Sequence, residues 1–389
     1  MKIKLPVLIL GIVVCVFLFG QNIPTEVVAF FYTISTVVKD IVSFFIPIVV
    51  FTFIAYLLAD LHEGTFLFVF RLFGTILLSN ILVTIYAYGA FELFYPLLDI
   101  GKSDLCVEKL TSKIEPLFKI PFSPPIKSSH ALLAGVIFGI LFAMRPSQRV
   151  FLALEKVRNK CLVVLKKWLV SLIPIMILGY LMKMQKDDIL EALILAYGKI
   201  FAFIILAMLV YVYGMYVVAA QFRFGAALKK MQTFFASAMT AFSTMSSIVA
   251  YPITVENALR YSKNPKLTQG ILSSSTNIHL MGVGISIPIL SMTVLANFGC
   301  DIPDAVAFLK FAFFLVLAKF SVAAVPGGSM MVVLPVLQEH LGFSPEMLAL
   351  ILSLYMLFDP FSAATNVLGN GAFSIFMTRV LDKKKNKPL

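Results

Sequence analysis

Asp359, Ser362, Asn366 and Asn370 recur at i, i+3, i+7 and i+11 inside an otherwise apolar stretch near the end of the chain. At 3.6 residues per turn these positions share one helical face, so a carboxylate and three neutral hydrogen-bonding groups form a single stripe. A carboxylate pairs with an ammonium, while amide and hydroxyl groups can receive a carboxylate or face a cation. The stripe therefore suits a small zwitterion or a cation. An isolated aspartate in an apolar span is costly and is by default a functional candidate. Pro360 follows it and favours a local break whose freed carbonyls would serve as further ligands.

Three more interruptions precede this one. Residues 241–252 place Ser243, Thr244, Ser246, Ser247 and Tyr251 in apolar surroundings, residues 273–279 run Ser-Ser-Ser-Thr-Asn-Ile-His, and residues 325–329 run Val-Pro-Gly-Gly-Ser. Serine and threonine in membrane helices can bond back to their own backbone, and glycine permits close packing. Four interruptions between Ala241 and Asn370 instead favour a polar cavity, because irregular backbone at membrane depth persists only where it is buried in protein or lines one.

The elements that must position these residues are membrane helices. Of 389 residues, 60% are hydrophobic and 13% charged, far from soluble averages of ~45–50% and ~25%. Apolar runs predict spans near 5–20, 27–61, 66–95, 130–143, 150–182 and 190–221, the second long enough to need a tilt or a kink at Pro47. Net charge +12 is spread between the runs and forms no nucleic-acid surface. Basic residues concentrate at the start, at 145–167, 223–230 and 260–266, and at the end, which places both termini in the cytoplasm. Segments 21–26, 99–127, 183–191, 301–304 and 339–346 read as external, and the acidic stretch 60–63 runs against the pattern. Cys15, Cys106, Cys161 and Cys300 have no metal or disulfide spacing. An intramembrane enzyme lacks a second deep aspartate or a Gly-x-Ser-x-Gly elbow, and a passive channel lacks a repeated pore unit.

Together these motifs resemble the dicarboxylate/amino acid:cation symporters, which include the glutamate transporters, and the chain is identified as a divergent member of that family. Residues 241–252 resemble its first re-entrant hairpin, 278–283 its unwound segment, 317–329 its second hairpin, and Asp359, Asn366 and Asn370 its substrate helix. The resemblance implies an all-α membrane protein with eight transmembrane helices, two re-entrant helical hairpins and an elevator fold, assembled as a homotrimer in the inner (plasma) membrane. It implies scaffold helices 1–2 in residues 1–65, a transport-domain helix 3 in 66–96, helices 4–6 in 97–221 (4 and 5 scaffold, 6 transport), and a core transport domain in 222–389. Asp359 matches the residue that binds the substrate ammonium. Asn366 supports the substrate carboxylate, Ser246 and Ser247 face that carboxylate from the hairpin tip, and Val325, Pro326 and Gly327 form the external gate.

The departures from the family pattern set the expected substrate. Members that carry acidic substrates have an arginine where this chain has Ser362, and the alternative basic position is Met245, so a substrate side-chain carboxylate would lack its partner. A small neutral amino acid is therefore expected in place of glutamate or aspartate, with a sodium-coupled dicarboxylate symporter as the alternative. The family's sodium carboxylates fall at Met281 and Asn370, a thioether and an amide, and beside the break Asn277 and His279 stand as further coupling candidates. His279, read as near Asp359, either carries a coupling proton or is a neutral imidazole bonded to a serine. Lys319 either replaces a bound cation or snorkels to the interface. No cofactor is implied beyond H+ or Na+ as coupling ion.

Overall fold

The structure, a computed structural model, describes residues 5–60, 66–97, 114–118, 126–144, 147–164, 170–187, 190–322 and 328–385. Among the described residues the only regular structure is helical. The first half contains α1 (Leu5–Phe19), α2 (Thr25–Asp60), α3 (Phe66–Phe94), α4 (Ser128–Met144), α5 (Gln148–Val164), α6 (Val170–Lys186) and α7 (Leu190–Ala219). The 36 residues of α2 span about 54 Å at 1.5 Å per residue, well beyond a hydrocarbon core of ~30 Å, and stay helical through Pro47. The span expected over 150–182 is described as α5 and α6 on either side of residues 165–169, which lie outside the described residues. α5 carries Arg149, Lys156, Arg158 and Lys160, too much charge for hydrocarbon, and lies against α2 with the Arg158 guanidinium 4.5 Å from the Tyr56 ring centre.

The second half is broken within two of the polar motifs, 241–252 and 273–279. α8 (Phe224–Thr233) leads into α9 (Phe235–Thr244), which ends because Met245 adopts the left-handed conformation at φ 52°. Ser246 is extended and α10 (Ser247–Leu259) turns back along α9, forming a helical hairpin. α11 (Pro265–Ser275) starts at an Asn264 cap that accepts from the Leu267 N–H at 3.2 Å, and α12 (Met281–Asn297) resumes after the break at 276–280. α13 (Ala305–Lys319), capped by Asp304, packs along α14 (Gly328–Leu341) as a second hairpin. α15 (Pro345–Lys385) then runs 41 residues without interruption. The break expected at Pro360 is thus not made. Proline removes one N–H from the ladder, and packing of α15 against α12, α9 and α7 holds the helix through that loss.

Among the described residues, three helices have the length and apolarity to cross a membrane, at Arg71–Leu97, Tyr197–Ala219 and Pro345–Leu381, and shorter apolar helices accompany them. Packing falls into two groups. α1, α4, α5 and α6 gather on α2, whereas α3, α7 and α9 to α14 gather on one another around α12 and α15. One bridge between the groups is ionic: Lys183 of α6, predicted in an external loop, is instead helical and buried, and its Nζ lies 3.3 Å from Glu346 Oε1 at the start of α15. Tyr32 of α2 donates to the same carboxylate oxygen at 3.2 Å.

Backbones approach most closely where α6 crosses α2. A methyl built on Gly179 would overlap the Phe31 carbonyl and the Ser35 hydroxyl, and that hydroxyl bonds across the crossing to the Ile175 carbonyl at 3.0 Å. Gly179→Ala is expected to destabilise the protein by about 1–3 kcal/mol, because backbone rather than a flexible side chain must give way. Thermal unfolding in detergent reads this directly, and an unchanged melting temperature would show that the crossing can open at no cost.

Candidate functional site

Where the two hairpins and the broken helix meet α15, they enclose a small cavity of about 40 Å³. Met245, Ser246 and Ser247 enter it from the first hairpin tip, Thr276, Asn277 and Leu280 from the break, Val322 and Ser329 from the second hairpin, and Asp359, Ala363 and Asn366 from α15. Asp359 and Asn366 are buried, at 8% and 5% exposed, and both line this space. Val325, Pro326 and Gly327, the expected gate, lie outside the described residues.

The four residues of the α15 stripe do share a face, and the structure assigns each a partner. Breaking a helix at membrane depth frees backbone groups that must be satisfied inside the protein. Three asparagines do this at 276–282. Asn80 of α3 donates to the Ile278 carbonyl at 2.8 Å, Asn370 donates to the His279 carbonyl at 3.2 Å, and Asn366 Oδ1 accepts the Gly282 N–H at 2.8 Å. Ser362 pairs with Ser286 of α12 at 3.2 Å, and a side chain on Gly282 would overlap the Ser362 carbonyl, so α12 and α15 touch along their backbones here. Asp359 accepts from the Tyr355 phenol at 3.1 Å. Asn80 and Tyr355 were missed by sequence reasoning, while Thr276 and Ser329 lie within the polar interruptions it singled out. The signal for Asn80 was available, since Ser79 and Asn80 are polar residues in the middle of an apolar span.

His279 is fully buried and is not beside Asp359. Its Nδ1 pairs with Asn370 Oδ1 at 3.1 Å, its Nε2 with the Ser79 hydroxyl at 2.8 Å, and its ring packs 4.3 Å from that of Phe373. Asn370 follows Asp359 by 11 positions, about 16 Å along the helix, which corrects the expected proximity. The Asn370 amide nitrogen is committed to two carbonyls, so Oδ1 is the acceptor and Nδ1 carries the hydrogen. Ser79 can donate to Nε2 or accept from it, so the network keeps its bonds with the ring neutral or protonated.

Met281 packs its thioether against Gly369 in the core. Lys319 does not snorkel: it is fully buried, and among the described residues its Nζ has no hydrogen-bond partner. The amine is wedged between α12 and α3. A methyl on Gly284 would stand 2.8 Å from Nζ and 2.7 Å from Val83 Cγ1, with the Thr84 hydroxyl close by.

The described cavity lining comes from segments 245–247, 276–280, Val322, Ser329 and α15. A profile of the sodium:dicarboxylate symporter family matches residues 5–380. The chain belongs to the sodium:dicarboxylate symporter family. Its members are membrane transporters, so the readings as an enzyme are set aside and the protein is a membrane protein of the symport class. The chain is also similar to the serine/threonine transporter SstT of Acinetobacter baumannii (strain SDF), 22% identical over 146 residues. That match covers 38% of this chain and 36% of the relative, so the chain aligns with little more than a third of that transporter's length.

Proposed function

We propose that this symporter-family protein carries a small neutral amino acid across the inner (plasma) membrane, as a homotrimer working by an elevator motion. The observation that carries the reading is the chemistry of the cavity wall. Asp359 supplies a carboxylate for an ammonium, Ser246, Ser247, Asn277 and Asn366 supply donors for a carboxylate, and the described lining contains no cationic side chain. A substrate with a second carboxylate would bury an unpaired charge there. The similarity to a serine/threonine transporter supports the same class.

The two packing groups support a division into scaffold and transport domains. Orientation is supported by the way like segments meet: Gln21 bonds with Gln185 and Lys186, joining two segments expected outside, and Lys230 lies over the Tyr261 ring, joining two basic segments expected inside. Both termini are placed in the cytoplasm on the basic-residue pattern.

Coupling is proposed to differ from the family's sodium chemistry. Sodium seeks oxygen ligands, but the Met281 sulfur is packed in the core and Asn370 Oδ1 is occupied by the His279 ring. Lys319 acts as a fixed cation in place of a bound ion, and the His279–Ser79 pair, bonded in either protonation state, is the candidate for proton coupling.

Uptake of radiolabelled L-serine into proteoliposomes, with unlabelled competitors, tests the substrate class. Alanine, serine or threonine should compete at least tenfold better than aspartate or glutamate. Dominant competition by aspartate would return the dicarboxylate reading. In the same vesicles an inward proton gradient should drive accumulation and a sodium gradient should not; the reverse would restore the family's coupling.

A further inference from the structure

Tyr355 does not line the cavity, yet the carboxylate it meets does. It lies one turn before Asp359 on α15, is fully buried, and donates its phenol hydrogen to Asp359 Oδ1 at 3.1 Å. Tyr355 holds this carboxylate from behind the cavity wall, while Ser362, on the next turn, gives its hydrogen to Ser286, which itself donates to the Gly282 carbonyl at 2.8 Å.

We infer that Tyr355 is a positioning residue for substrate binding: its phenol holds the Asp359 carboxylate toward the cavity. The inference rests on the reading of Asp359 as the partner of the substrate ammonium. A hydrogen bond in a water-poor site restricts the carboxylate to one rotamer before the ligand arrives, so less ordering remains to be done on binding. A tyrosine with only a packing role would need its ring and would tolerate loss of the hydroxyl at constant affinity.

Equilibrium binding of L-serine and L-alanine to the purified full-length protein tests this with Tyr355→Phe and Asp359→Asn. Tyr355→Phe should raise Kd at least tenfold, about 1.4 kcal/mol, while the ligand-free protein remains monodisperse and melts within a few degrees of the parent. Affinity within twofold of the parent for Tyr355→Phe, alongside lost binding for Asp359→Asn, overturns the inference and leaves the substrate reading standing. Full binding by Asp359→Asn, or no binding of either amino acid by the parent, overturns the substrate reading itself. Should Tyr355→Phe not yield folded protein, Tyr355→Met, which is apolar and carries no donor, is judged by the same twofold criterion.

Discussion

Asp359→Asn is expected to abolish amino-acid binding and uptake. Removing one partner of a buried charge pair costs about 3–5 kcal/mol, which at 1.4 kcal/mol per decade is a loss of roughly 10²–10³-fold or more. Asparagine is the informative replacement because it keeps the shape of the side chain and an oxygen that can still accept from Tyr355, so the helix packing is preserved and only the charge is lost. Uptake into proteoliposomes and equilibrium binding should fall together, with the purified variant still monodisperse. Binding that survives the change within a few fold would mean that the ammonium is received elsewhere, and the cavity would lose its assigned role.

Lys319→Met is expected to separate stability from function. The lysine is completely buried with its Nζ unpartnered among the described residues, pressed between Gly284, Val83 and Thr84. Charged or neutral, that amine carries hydrogens with no acceptor among the described residues, and replacing a poorly satisfied buried polar group by an apolar one of similar length is often neutral or stabilising by about 1–4 kcal/mol. Methionine follows the same unbranched path. A side chain that costs stability is retained where it does work. The variant should therefore melt higher and yet lose at least 90% of concentrative uptake, because the fixed positive charge proposed to stand in for an ion is gone. Higher stability with intact uptake would reduce Lys319 to a packing residue. Lower stability would show that the amine has an acceptor, such as a buried water, and that its charge is accommodated.

The breaks in the second half were legible because they are written in local chemistry. Ser-rich and Gly-Pro-containing stretches interrupt apolar runs, and the hairpin turn at Met245–Ser246 and the gap between α11 and α12 fall within them. The same logic failed at Pro360, where a local helix breaker is overruled by the helices packed around it. At 150–182 a span was expected across the basic stretch 145–167, and the described part of that stretch, α5, is a charged helix lying on α2.

Hydropathy and residue spacing by themselves determined that this is a helical membrane protein, that its helices are interrupted near 245 and 276–280, and that Asp359, Ser362, Asn366 and Asn370 look the same way. The motif order determined the family. Only the tertiary structure decided what each polar group is spent on. Asn366 and Asn370 bind the unwound backbone across 84 and 91 positions of sequence, Asn80 does so across 198, His279 sits with Ser79 some distance from Asp359, and Lys319 is sealed inside. The physical reason is that hydrophobic periodicity is a property of neighbours along the chain. Satisfaction of a freed N–H or carbonyl in a water-poor interior is a property of whichever side chain the packing brings within about 3 Å.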